Sequence, residues 1–242
     1  MVSETTKLSF SILCMLNLQS LLLYRDAHML VINKPPGVAV HPGIGGDKLD
    51  NLQKYLDQLQ FGLPKKPELA HRLDAATSGC LVLGRHPQAL KTLGRLFQEN
   101  KVTKTYLAVV VGKPSVAEGV MDFPLAKQSP HKHRWWMKVD PNGQKAITHF
   151  KVLQSNGDFS LLELCPQTGR THQLRVHCQA LGHPILGDGI YGNDMAKKFQ
   201  GLFLHARKIE IPFNLKKPPV IVEAPVSDYM RLFLENELKV PV

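Results

Sequence analysis

The segment "HRLDAATSG", residues 71–79, places one carboxylate, Asp74, between basic residues and a small, polar turn. The "CLVLGR" that follows is a compact apolar run typical of a buried strand, so the carboxylate is expected to be held beside the core. Burying an unpaired carboxylate is very unfavourable. Arg72 lies two residues away and Arg175 comes from a distant segment, and either could supply the cation. A carboxylate held in this way could serve as a nucleophile or in proton transfer.

The cysteines and histidines form no recognisable metal or disulfide pattern. The four cysteines include no C-x-x-C pair and no regular spacing: Cys14, Cys80, Cys165 and Cys178. The histidines nearest to Cys178 match no zinc spacing: His172, His177 and His183. We therefore predict no metal site and no disulfide framework, and a reducing, cytoplasmic setting.

The 242-residue chain carries 30 Lys and Arg against 20 Asp and Glu, a formal net charge of +10. Such a surplus attracts polyanions at long range, and nucleic acid is the first candidate, ahead of an anionic membrane. The segment "HKHRWWMK", residues 131–138, interleaves cations with Trp135 and Trp136. Two interpretations stay open. Arg134 and Trp135 contact RNA as a stacking platform, or the tryptophans pack inward on a hairpin.

The first half of the chain alternates strand and helix patterns. Two short apolar runs within residues 21–34 and the run after the Thr-Ser-Gly turn predict strands. Leucines at helical spacing predict a helix over residues 50–59 and another that begins at Pro87, a residue tolerated in a first helical turn. A strongly β-type run covers residues 104–112. The preceding segment, residues 1–20, is too short and polar to span a bilayer and is predicted to be an N-terminal extension.

The second half is rich in hairpin signals. Asn142-Gly143 and Asn156-Gly157 are each expected at the turn of a β-hairpin, and a polar loop then leads into a helix with His172 and Arg175. Several hairpins without a sustained β-α-β repeat predict an α+β fold on a central mixed, mostly antiparallel sheet with flanking helices. No repeat or linker divides the chain, so residues 21–242 are predicted to form one domain.

Five segments resemble the RluA branch of the pseudouridine synthases, in the order in which that family carries them. "HRLDAATSG" is similar to the family's catalytic motif H-R-L-D-x-x-T-S-G, and "NKPPGVAVHPG" to the segment upstream of it. "KTYLAVVVG" is similar to the tyrosine-bearing strand, "PQTGRTHQLRVHCQALGHPILGD" to the arginine-bearing motif and "LFLHA" to the last common block. The segments run from about Leu21 to Ala206, so the resemblance covers most of the chain.

The resemblance implies a pseudouridine synthase fold with an active-site cleft, and an enzyme that isomerises uridine in RNA without cofactor or metal. It makes Asp74 the catalytic carboxylate, which either attacks the ribose or the base as a nucleophile or mainly assists proton removal. It makes Tyr106 the residue whose ring packs against the target base, and Arg175 the basic partner of the carboxylate. Arg72 is expected to occupy the space of the extruded base, and Lys34 in the upstream segment is expected to contact RNA.

The sequence departs from the family in two places. The segment 1–20 is too short for the N-terminal RNA-binding domain of many relatives, so a short form that recognises a small stem-loop is expected. Ala75-Ala76 stands where relatives often place an arginine. The substrate stays open between ribosomal RNA, transfer RNA and both, and we expect a monomer without an obligatory protein partner.

Two other function classes remain. The chain could be an RNA-binding protein that keeps the fold without catalysis, although intact Asp74, Tyr106 and Arg175 disfavour this alternative. A hydrolase that uses Asp74 with a nearby histidine is disfavoured because the H-R-L-D spacing does not present a base, a nucleophile and an orienting acid. Activity on unmodified RNA separates these classes.

Overall fold

The computed structural model describes residues 16–42, 50–131 and 134–241, and for residues 129–131, 134 and 135 it describes the backbone alone. Most of the predicted N-terminal extension therefore lies outside the described residues. Its last residues enter a short 3₁₀ helix at Leu18–Leu21. Within the described ranges, no helix is long and apolar enough to cross a bilayer.

The chain divides into two compact units. The first takes its described residues from the ranges 1–102 and 208–224, and the second takes its described residues from 103–207 and 225–242. The prediction that residues 21–242 fold as one domain stays a prediction. The predicted α+β class is confirmed, because the strand pairs described below are antiparallel and few helices accompany them.

The first unit is built on antiparallel strands on either side of the Thr-Ser-Gly turn. Strands β1 (Leu22–Arg25), β2 (Met29–Lys34) and β4 (Ser78–Gly84) pair as consecutive neighbours, and the short β3 (Glu68–Leu69) joins the end of β4. Every residue of β4 is buried. This confirms the buried strand predicted after the turn.

Two helices of the first unit were predicted from leucine spacing. Helix α1 (Pro87–Gln98) begins as expected at Pro87, and the His86 side chain accepts the Ala89 N–H and caps it. The helix predicted over residues 50–59 is a 3₁₀ helix, Leu52–Leu59, with three buried leucines. Strand β12 (Val220–Glu223) pairs with residues 208–211 at the end of β11 (Leu204–Ile211).

The second unit contains a second run of antiparallel strands. In spatial order these are β5 (Thr103–Val111), β10 (Phe159–Pro166), β9 (Ile147–Ser155) and β6 (Glu118–Asp122). Strands β7 (Leu125–His131) and β8 (Arg134–Val139) pair as a two-stranded sheet. The helices are α2 (Gln173–Ala180), α3 (Asp228–Asn236) and a 3₁₀ turn at Ala196–Lys198.

Of the two predicted hairpin turns, one is confirmed and one is wrong. Asn156-Gly157 joins the paired strands β9 and β10, with Gly157 at a φ of +99°. Asn142-Gly143 does form a turn, in which the Gly143 N–H donates to the Asp140 carbonyl at 2.8 Å. The strands on its two sides pair elsewhere, β8 with β7 and β9 with β6 and β10. The dipeptide specifies a reversal of the chain, whereas the neighbouring strands decide the pairing.

Candidate active site

Asp74 lies in a tight turn between β3 and β4. The Thr77 N–H donates to the Asp74 carbonyl oxygen at 3.1 Å. Leu73 and Thr77 are buried on either side of Asp74, which is itself half-buried. Gly79 has a φ of +107°, a conformation that other residues disfavour, at the point where the turn becomes the strand. The backbone of Asp74 is therefore fixed, while the residue keeps some exposure to solvent.

Lys34, the last residue of β2, is completely buried beside this turn. Its Nζ donates hydrogen bonds of 2.8 to 2.9 Å to three backbone carbonyl oxygens, those of Pro35, Val38 and Ala75. A lysine ammonium has three N–H donors, so these bonds use all of them. One of the three acceptors directly follows Asp74 in the chain.

The Ala75 carbonyl is bound twice. Besides the Lys34 ammonium, it accepts the Gly37 N–H at 2.9 Å. Gly37 has a φ of +84°, which brings the chain back towards its own lysine and which glycine adopts without strain. Residues 34–38 therefore form a bracket that holds the Asp74 turn.

The charge of Lys34 also acts on this turn. Burial lowers the pKa of the Lys34 ammonium from 10.5 to about 7, and attraction to Asp74 acts in the opposite direction. A buried charge must be compensated by hydrogen bonds or an opposite charge, and here three carbonyl dipoles and the Asp74 carboxylate serve this purpose. The bracket thus contributes a cation next to the carboxylate of the motif.

The prediction that Lys34 contacts RNA is wrong, because this geometry leaves its ammonium inaccessible to RNA. The side chain has no exposed surface, and each N–H of its ammonium is bonded to backbone. A phosphate would have to displace one of these buried bonds. Lys34 instead positions the turn that carries Asp74.

The first two residues of the motif differ in their surroundings. Arg72 is exposed, and its contact with RNA stays a prediction. His71 is held against β4 and α1, because its Nε2 accepts the Val82 N–H at 3.0 Å and its ring stacks on Phe97 at 4.3 Å. The Nε2 lone pair is therefore occupied, which argues against the hydrolase alternative.

Arg175, on α2, forms a buried ion pair with Asp188 in the second unit. Its Nε and Nη2 donate to Oδ2 and Oδ1, each at 2.7 Å. The same Oδ1 accepts the backbone N–H groups of Ile190 and Tyr191 at 2.9 Å. Burial alone would raise the pKa of Asp188, but the hydrogen bonds and charge of Arg175 and the backbone N–H groups lower it below the ordinary value. The pairing of Arg175 with Asp74 stays a prediction.

A chain of hydrogen bonds fixes the start of α2. The Thr168 hydroxyl donates to Gln173 Oε1 at 2.8 Å, and Gln173 Nε2 donates to Thr148 Oγ1 at 2.9 Å. Since Thr148 Oγ1 accepts there, its own hydrogen is available to His177 Nδ1, 3.0 Å away. His177 Nε2 then donates to the Phe123 carbonyl at 3.1 Å. Burial lowers the pKa of His177, in agreement with this neutral tautomer.

The other predicted site residues lie on strands of the second unit. Tyr106 is half-buried on β5, opposite Leu164 of β10. Its packing against a target base stays a prediction. Arg134 and Trp135 lie on β8, but their side chains fall outside the described part, so their RNA contacts are untested. Trp136 is half-buried and pairs with Gln128, which confirms the hairpin itself.

Sequence reasoning missed Asp188 and Gln173. A signal for Asp188 was present, because a buried arginine requires a carboxylate and "LGDGIYG" follows the arginine-bearing helix closely. Gln173 carried no such signal, since its role depends on partners on β9. Burial is the main cause, and the negative charge of Asp188 the second, that raises the pKa of the neighbouring Cys178 thiol to about 12. This cysteine is therefore not a nucleophile.

Comparisons with known proteins agree on one family. The family model described as RNA pseudouridylate synthase matches residues 28–180, more than half of the chain. The chain is 41% identical to an uncharacterised RNA pseudouridine synthase of Zymomonas mobilis, over 84% of this chain and 92% of the relative. It is 35% identical to ribosomal large subunit pseudouridine synthase C of Vibrio vulnificus, over 90% of this chain and 70% of the relative. The solved structure of human RNA pseudouridylate synthase domain containing 1 is similar at a TM-score of 0.71 and 32% identity, over 85% of this chain and 82% of that one.

Replacing Lys34 by methionine should destabilise the protein in a pH-dependent way. The carbonyls of Pro35 and Val38 lose their ammonium donor, and an unsatisfied buried acceptor costs about 1–3 kcal/mol. The pKa of Lys34 is about 7 in the fold and 10.5 in its ordinary state, so between these values the unfolded chain binds more protons. The free energy of unfolding of the wild type therefore rises with pH in this window, and that of Lys34→Met lacks this rise.

Urea denaturation at about pH 7 and about pH 9 measures the difference between the two proteins. We expect the difference to widen at the higher pH. The matched control is Lys91→Met at an exposed position of α1, which should change little at either pH. A difference that stays constant or narrows would contradict the assignment of a buried, titrating Lys34.

Replacing Asp188 by asparagine should reduce the free energy of unfolding by about 3–5 kcal/mol, because the buried Arg175 guanidinium loses the carboxylate to which it donates two hydrogen bonds. The pKa of Asp188 is lowered by folding, so its stabilisation is present at neutral pH and is lost as the pH falls below about 4. Urea denaturation should show the difference from wild type shrinking on acidification. Asp194→Asn, at an exposed position nearby, is the control. Equal losses of stability in the two variants would contradict the ion pair's importance.

Proposed function

Because this chain belongs to the RluA branch of the RNA pseudouridine synthases, we propose that Asp74 is the nucleophile with which it converts uridine to pseudouridine. In this isomerisation the bond between uracil N1 and ribose C1′ breaks, and a bond between C5 and C1′ forms. N1 gains a proton and C5 releases one, so the RNA keeps its composition. A carboxylate suits the reaction because it can attack the ribose or the base and later leave.

The bracket around Asp74 is the observation that carries this proposal. The Lys34 ammonium and the Gly37 N–H both donate to the Ala75 carbonyl. These two bonds hold the backbone next to Asp74 through the main chain and not through the Asp74 carboxylate. The half-buried Asp74 keeps some exposure through which a nucleoside can approach. A nucleophile that is fixed before the substrate arrives loses little entropy when it reacts.

The other site residues have supporting roles in the proposal. Tyr106 packs against the target base, and Arg175 balances the charge of Asp74. Arg175 suits this role because Asp188 already fixes its guanidinium in one orientation. Extruding a uridine from its stack costs a few kcal/mol. The exposed Arg72 fills the vacated space, and stacking on a neighbouring base returns about 1–3 kcal/mol.

We propose structured ribosomal or transfer RNA as the substrate, and large-subunit ribosomal RNA first. The similar protein of Vibrio vulnificus is named for the ribosomal large subunit. The net charge of +10 supports a polyanionic substrate, since phosphate contacts dominate the affinity of most RNA complexes. The Ala75-Ala76 pair beside Asp74 offers no cation there, so phosphate contacts must come from other basic residues.

Release of the C5 hydrogen tests this function directly. Unmodified large-subunit ribosomal RNA and transfer RNA, each tritiated at uridine C5, are incubated with excess enzyme. Wild type should release tritium to water from the true substrate, and Asp74→Asn should release it roughly 10³-fold more slowly or not at all, because its amide is a poor nucleophile. Asp57→Asn, an exposed carboxylate of the same unit, should keep the wild-type rate.

Two outcomes would overturn the proposal. An Asp74→Asn variant as active as wild type would remove Asp74 from the nucleophile's role. A wild type that binds both RNAs but releases no tritium from either would favour the non-catalytic RNA-binding alternative.

A further inference from the structure

Tyr191 touches three elements of the second unit at once. Its ring lies 5.1 Å from the guanidinium carbon of Arg175, within the range of a cation–π contact. Its hydroxyl accepts the backbone N–H of Met137 at 2.9 Å and lies 2.8 Å from His172 Nδ1. The backbone N–H of Tyr191 donates to Asp188. One residue thus contacts the Arg175–Asp188 pair, the start of α2 and strand β8.

The contact with β8 matters because of how the hairpin is built. Strands β7 and β8 form a two-stranded sheet, and an isolated two-stranded hairpin is marginally stable in water. The hairpin is held by a small apolar cluster in which Met137 and Tyr191 pack against buried Leu125, Ala146 and Val176. The bond from Met137 N–H to Tyr191 adds a directional contact to this cluster.

His172 adds a second indication that this junction is specialised. It occupies the N-cap of α2 with a φ of +53°, a left-handed conformation that is uncommon for residues other than glycine. Its ring meets the Tyr191 ring edge to face, with 5.6 Å between the centroids. Backbone strain of this kind persists where the surroundings hold it and occurs often at functional sites.

We propose that Tyr191 is a positioning residue that couples the β7–β8 hairpin to Arg175. Its hydroxyl sets the position of the hairpin strand that carries Arg134 and Trp135, and its ring sets the position of the Arg175 guanidinium. The hairpin and the Arg175 guanidinium are thereby held in a fixed arrangement within the second unit. The inference rests on the proposed function, because it takes RNA as the ligand and Arg175 as part of the catalytic machinery.

Two substitutions separate the hydroxyl from the ring. Tyr191→Phe keeps the ring and removes the bonds to Met137 and His172. Of these two bonds, the one from Met137 holds the hairpin, so RNA binding should weaken about tenfold, the net value of one good hydrogen bond. The single-turnover rate at saturating RNA should stay within about threefold of wild type. Tyr191→Leu also removes the ring from Arg175, and it should lower that saturating rate at least about thirtyfold as well.

The salt dependence of RNA binding distinguishes a positioning role of Tyr191 from a purely structural one, because a loss of stability alone would not change it. If the cations of the hairpin are no longer positioned to contact RNA phosphates, the slope of log Kd against log salt should fall by about one for each phosphate that they no longer neutralise. The control is Tyr229→Phe, which removes another half-buried tyrosine hydroxyl, bonded to the Leu202 carbonyl at 2.6 Å. It should leave both the affinity and the slope unchanged.

An unchanged affinity and slope for Tyr191→Phe would overturn the coupling, as would equal reductions of affinity in Tyr191→Phe and Tyr229→Phe. Failure of the proposed function is distinguishable, because it shows as absent tritium release by the wild type or as full activity of Asp74→Asn. In that case the affinity and salt slope of Tyr191→Phe still decide whether Tyr191 positions the hairpin for RNA.

Discussion

The Asp74 turn depends on the hydrogen bonds that the buried Lys34 ammonium donates to backbone carbonyls. A lysine without any exposed surface would be strongly destabilising if its charge were not compensated. Compensation here comes from three carbonyls. Those of Pro35 and Val38 lie on either side of the left-handed Gly37, and that of Ala75 belongs to the Asp74 turn. The same arrangement immobilises Ala75 and so fixes the backbone beside Asp74. Stability of the turn and placement of the carboxylate therefore have one physical cause.

The two units solve the problem of a buried cation differently. In the first unit, Lys34 is satisfied mainly by backbone dipoles, and burial brings its pKa to about 7. In the second unit, Arg175 is paired with the carboxylate of Asp188 through two parallel hydrogen bonds. Arginine stays protonated in proteins, and its planar guanidinium can donate two parallel hydrogen bonds to one carboxylate. The lysine is thus the one of these two cations that can respond to pH, whereas the arginine provides a constant charge of fixed orientation.

The sequence predicted the parts of the structure that local patterns determine. The buried strand after Thr-Ser-Gly and the start of α1 at Pro87 follow from apolar periodicity and from where proline is tolerated in a helix. The prediction of a hairpin at Asn142-Gly143 was wrong, because strand pairing depends on partners distant in the chain, which a dipeptide does not specify.

Among the site residues too, local sequence patterns revealed some, and contacts between distant segments decided the rest. Asp74 and Arg175 stood out by their motifs, whereas the burial of Lys34 and its bonding to residue 75, far along the chain, had no sign in "NKPPG". Asp188 and Gln173 became visible only through the contacts they make across the second unit. Residue types indicated the chemistry, and long-range packing decided which groups support it.

Amide hydrogen exchange at Gly37 and Thr77 tests most directly whether Lys34 holds the Asp74 turn. Both N–H groups donate to carbonyls of the turn, those of Ala75 and Asp74. If the ammonium holds the turn, Lys34→Met should speed exchange at these two amides by about tenfold or more, while the amides of Leu81 and Val82 in β4 keep their wild-type protection. Equal protection of Gly37 and Thr77 in wild type and variant would contradict the account.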